Sequence, residues 1–230
     1  YFNKGNTLAN IQQFDKAIDC YKKTFEYEVP DALTYYNIGE CYEQLEQLQL
    51  AREFYKKATK LEPGLAEAWL GIGVTLQTEE RWFEAIRYIK KAIELKNNVA
   101  EFWFALGDAE YHLENYKGAE EAYNKVLEID PRSPEIWLEY SHMLMMTNRN
   151  EEAITLLEEG IRLHPDNAEM SYRLVCYNYL MAKISEAYRL LDDALDRFPA
   201  SSNFVFDYSP SMANDKIIFD MIGMHREKKI

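Results

Sequence analysis

What the sequence lacks excludes several classes of protein. No apolar run approaches the roughly 20 residues that a bilayer-spanning helix needs, so no membrane insertion is expected. Cysteine is scarce: Cys20, Cys41 and Cys176 are too few and too far apart for a disulfide framework or a zinc motif, and small buried residues are their expected role. Positive charge is in deficit, with 26 basic against 39 acidic residues and a formal charge of −13, which opposes partners bound through phosphate neutralisation. No nucleic acid is therefore expected as a ligand. The nine glycines form no phosphate-cradling loop, and His112, His142, His164 and His225 are scattered, none beside a serine or cysteine in a nucleophile motif. No enzymatic activity, cofactor or metal is expected. The first residue is Tyr1 rather than methionine, and the pattern after it is already helical, so a fragment with further sequence upstream is expected. Unpaired cysteines and the lack of an export signal point to the cytoplasm.

What is there is a repeat. Ala17, Ala51, Ala85, Ala119, Ala153 and Ala187 each stand 34 residues after the last, a period that predicts stacked helical hairpins. Sixteen residues before five of them comes a bulky aromatic, Tyr1, Tyr35, Trp69, Trp103 and Trp137, with Ser171 breaking the series. Twelve before them come Gly5, Gly39, Gly73 and Gly107, then Ser141 and Val175. Twelve after, Pro63, Pro131, Pro165 and Pro199 end a helix, with Val29 and Asn97 as exceptions. Each period thus holds two helices, whose apolar residues recur three or four apart, as around Phe54, Tyr55 and Ala58. Small residues mark helix crossings and large ones fill the gaps between hairpins.

Tyr35, Ile38-Gly39, Tyr42, Ala51, Tyr55, Ala58 and Pro63 meet almost the whole pattern of the tetratricopeptide repeat family, which the chain resembles over residues 1–199. Trp103, Leu106-Gly107, Ala119, Tyr123 and Pro131 match nearly as well, whereas the sixth copy lacks the aromatic and the glycine. The resemblance implies an all-α fold: a right-handed superhelical solenoid of antiparallel helix pairs, about six repeats over residues 1–199. In it, the first helix of each pair lines a concave groove. Residues 200–230 are expected to form an extended segment plus a C-terminal capping helix. Phe204, Phe206 and Tyr208 alternate with Val205 and Asp207, which predicts the extended piece, ending at Ser209-Pro210. The helix after it, from about Asn214, carries Ile218, Met221 and Ile222 on one side and ends on Arg226, Lys228 and Lys229, which suit the helix dipole. Two roles are open for this region: covering the last repeat's apolar face, or placing the aromatic segment in the groove as a built-in ligand or docking motif.

Function is expected in the groove, as the capture of a protein or peptide segment. The candidate residues on the first helices are Asn6, Tyr36, Asn37, Glu40, Glu43, Phe104, Asp108, Tyr111, Glu139, His142, Met145, Tyr172 and Arg173, with Gln44, Leu70, Val74, Gln77 and Leu138 beside them. Arg173 is the one with fixed positive charge, so a basic or apolar and aromatic peptide is favoured over an acidic one. Some members of the family hold acidic chaperone tails with two asparagines and three basic residues. Asn6 and Asn37 match the asparagine places, but Phe2, Glu67 and Gly71 stand at the basic ones, which argues against that partner. Glu67, Glu101, Glu135 and Glu169 recur at the period in first turns, where the dipole alone accounts for them. The stretch Tyr140–Asn150, YSHMLMMTNRN, raises a copper site, because thioether and imidazole suit Cu(I). Its place in the repeat points Met143 at neighbouring helices and His142, Met145 and Met146 at the groove, a soft patch beside Glu139 and Tyr172. The competing reading is a docking arm of a longer chain whose active domain lies outside these residues.

Overall fold

The computed structural model describes residues 1–27 and 29–227, and among them the regular structure is α-helical with short 3-10 turns and no strand. The chain divides into two compact units, Tyr1–Ile129 and Asp130–Ile230. The first holds four helix pairs: α1 (Phe2–Asn10) with α2 (Phe14–Thr24), α3 (Ala32–Gln44) with α4 (Leu48–Leu61), α5 (Ala66–Thr78) with α6 (Trp82–Leu95), and α7 (Ala100–His112) with α8 (Tyr116–Ile129). The second holds α9 (Pro134–Met146) with α10 (Asn150–Leu163), α11 (Ala168–Leu180) with α12 (Ile184–Arg197), then the short α13 (Phe204–Tyr208) and α14 (Lys216–Glu227).

Within a pair, a glycine on the first helix receives an aromatic or branched side chain sixteen residues on. A Cβ added to Gly5 would stand 2.5 Å from the Tyr21 ring, one on Gly39 2.6 Å from Tyr55, one on Gly73 2.6 Å from Ile89, and one on Gly107 2.4 Å from Tyr123. The helices approach that closely because nothing projects from the glycine. In α4, Ala51, Phe54, Tyr55 and Ala58 are buried while Glu53, Lys56 and Lys57 stay outside, the 3–4 spacing of one apolar stripe. In the second unit Ser141 takes the glycine place fully buried, its hydroxyl satisfied by donating to the Leu138 carbonyl.

The turns between paired helices share one conformation. Gln12, Glu46, Glu80, Glu114, Asn148 and Ala182 all have φ between 57° and 60°, and each stands 34 residues after the last. The N–H of the next residue reaches back to close each helix end, from Gln13 to the Leu8 carbonyl, from Gln47 to Tyr42 and from Lys183 to Asn178. This is the Schellman ending, normally given to glycine, carried here by non-glycine residues. The tryptophan and proline columns are also joined: Trp69 Nε1 donates to the Pro63 carbonyl at 2.9 Å, Trp103 Nε1 to Asn97 at 2.8 Å and Trp137 Nε1 to Pro131 at 2.9 Å.

The expectation of an extended segment after residue 200 is corrected: Pro199–Ser201 is a 3-10 turn and Phe204–Tyr208 is helical. Counted along the period, Ser202 falls in the column of Ala66, Ala100, Pro134 and Ala168, where first helices begin, so a seventh first helix starts in register. It stops at Ser209, which precedes Pro210 and is held extended at φ −141°. The alternation of aromatics is therefore not a strand's, because Val205 is the residue fully buried while Phe204, Phe206 and Tyr208 are half-buried. The capping helix is present as α14, with Ile218 and Ile222 buried in one core with Tyr172, Leu191, Val205 and Met212. His225 Nε2 lies 3.1 Å from Asp196 Oδ1 and 3.4 Å from Asp192 Oδ1 on α12, which pins α14 there. Of the basic end, Lys228, Lys229 and the Arg226 side chain lie outside the described residues.

Candidate functional site

In the first unit, helices α3, α5 and α7 bring their inner faces around a cavity of about 150 Å³. Its floor is apolar, formed by Leu70, Gly71, Val74 and Phe102, and its walls carry Tyr36, Tyr55 and the carboxylates of Glu40, Glu43, Glu67 and Glu101. Helical spacing puts Tyr36, Glu40 and Glu43 on one face of α3, and the stacking of successive repeats sets them opposite first-turn glutamates of the next two. The Tyr36 hydroxyl donates to Glu40 Oε1 at 2.7 Å, and the Tyr55 hydroxyl, from the second helix, donates to Glu43 Oε2 at 2.7 Å. A carboxylate has two oxygens with several acceptor sites, so each glutamate retains capacity for a ligand's donor.

The electrostatics follow from this crowding. Withdrawal from water raises the Glu40 carboxyl above its ordinary value; the Tyr36 hydrogen bond partly offsets that, and the nearby charge of Glu101 adds to it. Glu43 is likewise raised by burial, with the Tyr55 hydrogen bond opposing and Glu40 and Glu101 reinforcing. Burial and the adjoining carboxylates push the phenols of Tyr36 and Tyr55 up as well, which keeps both as donors. For Glu67 burial works upward too, but the Lys96 ammonium and a backbone hydrogen bond outweigh it and hold the group below the usual range. One Glu67 oxygen, Oε2, is buried without a partner. The site is a concentration of negative charge over an apolar floor.

The structure gathers Tyr36, Glu40 and Glu43 of the sequence candidates at this cavity, with Gln44, Leu70 and Val74. Asn6 and Asn37 are engaged with each other and with the fold: Tyr21 donates to Asn6 Oδ1 at 2.7 Å and Asn37 Nδ2 does so at 3.3 Å. Asp108 accepts from Gln77 at 3.1 Å, Phe104 is half-buried with its ring 6.2 Å from that of Tyr123, and Tyr111 sits against the rings of His112 and Tyr116. In the second unit Glu139 is exposed, and His142 and Met145 are half-buried. Burial lowers the His142 imidazole below its ordinary value, and the Arg173 charge adds to that.

Two candidates are corrected. Tyr172 is fully buried and Arg173 is 7% exposed, so neither lines an open surface. Tyr172 donates to the Phe198 carbonyl at 2.8 Å; Arg173 donates to the Leu138 carbonyl at 2.9 Å and pairs with Glu169 at 3.1 Å, while the Tyr208 ring covers its guanidinium at 4.4 Å. α13, formed from the segment expected to be extended, packs on both, Phe204 against the Tyr172 ring and Tyr208 over Arg173. The patch of Met and His beside Tyr172 accordingly keeps its two half-buried members, His142 and Met145, with Met146 exposed. Sequence reasoning missed Tyr55, Glu67 and Glu101 as cavity residues. The 34-residue recurrence of the two glutamates was the available signal, but a first-turn carboxylate is already explained by the helix dipole.

Four family models described as tetratricopeptide repeat match residues 1–28, 32–65, 70–134 and 111–175. Among solved structures, the chain is similar to YrrB, described as a TPR protein with an unusual peptide-binding site, at 22% identity over 81% of this chain and 96% of that one, with a TM-score of 0.64. It is similar to residues 41 to the end of MamA from Desulfovibrio magneticus RS-1 at 19% identity, over 71% and 92% of the two chains, TM-score 0.65. It is also similar to PilF of Pseudomonas aeruginosa at 17% identity, over 92% and 96%, TM-score 0.74. Identities this low carry the fold alone. No curated protein sequence matches the chain. With the helix pairs, the glycine-to-tyrosine crossings and family models running through most of its length, the chain belongs to the tetratricopeptide repeat family.

Proposed function

We propose that the chain is a non-catalytic interaction module that binds a protein segment on the first helices of its first unit and seats a lysine or arginine side chain of that segment in the acidic cavity. The observation that carries this reading is the set of Glu40, Glu43, Glu67 and Glu101 around an apolar floor of Leu70, Val74 and Phe102. An aliphatic stem ending in a cation satisfies both halves of such a site. A bound cation also offsets the burial, and the neighbouring carboxylate charge, that raise Glu40 and Glu43. An acidic peptide gains neither effect. The peptide-binding site for which YrrB is described is in keeping with this reading.

Fluorescence anisotropy with labelled peptides pairing an aromatic and a basic residue, against acidic counterparts, tests it. The basic peptides should bind more tightly, with affinity falling as salt is added. A Glu40→Lys, Glu43→Lys double variant should lose at least tenfold. Equal affinity for acidic peptides, or no loss in the variant, would overturn the reading.

A further inference from the structure

The acidic cavity of the first unit offers more acceptors than one ammonium can use. Its carboxylates come from three helices: Glu40 and Glu43 from α3, Glu67 from α5 and Glu101 from α7. Tyr36 and Tyr55 donate to Glu40 Oε1 and Glu43 Oε2, and further acceptor sites remain on both carboxylates. Lys96, just past the end of α6, donates to Glu67 Oε1 at 2.5 Å, yet Oε2 of the same carboxylate is buried without a partner. One ammonium already stands at Glu67, and it serves one oxygen of the two.

Elsewhere in the chain the two kinds of cation divide such work differently. Arg81 holds two carboxylates at once, Glu79 through Nη1 at 3.0 Å and Glu84 through Nε and Nη2 at 2.8 and 2.9 Å. Arg189 holds Glu186 and Asp193 in the same manner. Lys90 and Lys183, like Lys96, are each paired with a single carboxylate, Glu110 and Glu151. The five N–H groups of a guanidinium point outward in one plane from three nitrogens, whereas the three of an ammonium radiate from one atom. The remaining lining favours the flat cation as well. Leu70, Gly71, Val74 and Phe102 form the apolar floor beside the rings of Tyr36 and Tyr55. A guanidinium is weakly hydrated over its faces, which tolerate apolar and aromatic contact, and it carries its donors at its edge. An ammonium is a compact, strongly hydrated point charge, and an apolar floor takes water from it and returns no acceptor.

We infer that the cavity is an arginine subsite, taking a guanidinium in preference to an ammonium, and that Glu67 is the residue that sets this preference. With Oε1 taken by Lys96, the unpartnered Oε2 is the acceptor that an arriving donor meets. An ammonium has to serve it and the α3 carboxylates from one atom; a guanidinium divides them among separate nitrogens. The inference rests on the basic-peptide reading of the same cavity and narrows its ligand to one side chain.

The test uses the full chain and one labelled peptide pairing an aromatic with a basic residue, made with arginine, lysine, symmetric dimethylarginine or citrulline at the basic position. The arginine peptide should bind about fivefold or more tighter than the lysine peptide. Dimethylarginine keeps the charge and loses donors, so it should fall to the level of lysine; citrulline keeps the shape without the charge and should bind weakest. Glu67→Gln should bring the arginine and lysine peptides to the same affinity. Equal binding of arginine and lysine by the unaltered chain overturns the inference and leaves the basic-peptide reading standing. So does dimethylarginine binding as tightly as arginine, or an arginine advantage that survives Glu67→Gln. If neither the arginine nor the lysine peptide exceeds citrulline, the basic-peptide reading falls and this inference with it.

Discussion

Tyr55 lies between two glycines of different helices: a Cβ on Gly39 or on Gly71 would stand 2.6 Å from its ring, while its hydroxyl reaches Glu43 at 2.7 Å. One side chain thus joins the crossing of α3 with α4, the stacking of α5 on that pair, and the wall of the acidic cavity. Gly71→Ala should cost about 1–3 kcal/mol, because a methyl placed against a fully packed ring forces it aside. Urea denaturation should show the loss. Gly64→Ala, where nothing lies within 4 Å, is the control expected to change little.

Proton linkage at the cavity has a definite sign. Glu40 and Glu43 titrate above their ordinary 4.5 in the folded chain, so over that window the folded state binds more protons than the unfolded. Their contribution to stability is present below 4.5 and is lost as pH rises through the raised values. A cationic peptide prefers the ionised pair, so its affinity should rise with pH across the same window, with proton release on binding. Calorimetry in two buffers of different ionisation enthalpy measures that release, and Glu43→Gln should reduce it.

The repeated left-handed turn residue predicts a stabilising change. Ala182 sits at φ 57°, where an L side chain is disfavoured by about 1–2 kcal/mol and glycine is not. Ala182→Gly should raise stability by about 0.5–1 kcal/mol after glycine's greater unfolded-state freedom is counted. Ala182→Val should lower it. Both read out as shifted urea midpoints with unchanged slope.

His142 has the opposite linkage to the cavity glutamates. Its folded value lies below the ordinary 6.5, so between the two the unfolded state binds more protons and stability falls as pH drops through that range. His142→Gln should flatten the fall. Thermal unfolding between about pH 7 and about pH 5 checks it, with the difference between the two chains vanishing above that range.

The fold was legible because its signals are local. A 34-residue period, a glycine sixteen residues before the large side chain it receives and a proline closing four of the six pairs lie within one repeat, where helical geometry ties spacing to contact. The same spacing put Tyr36, Glu40 and Glu43 on one inner face. It could not say what stood across from them. Glu67 and Glu101 reach that cavity from two other repeats, and their first-turn positions were already accounted for by the helix dipole.

The sequence by itself determined the helix pairs, their crossings and the acidic character of the first helices, since each depends on residues one or two turns apart or one hairpin apart. Only the tertiary structure decided which first-helix faces stay open. Tyr172 and Arg173 occupy the same columns as Leu70 and Gly71, which are buried as well, but what covers them is Phe204 and Tyr208, residues about one repeat downstream. Periodicity reports which side of a helix faces a neighbour; what fills that side is settled by how the next segment packs, and here Pro210 cut a seventh repeat short and left its first turn lying on α11.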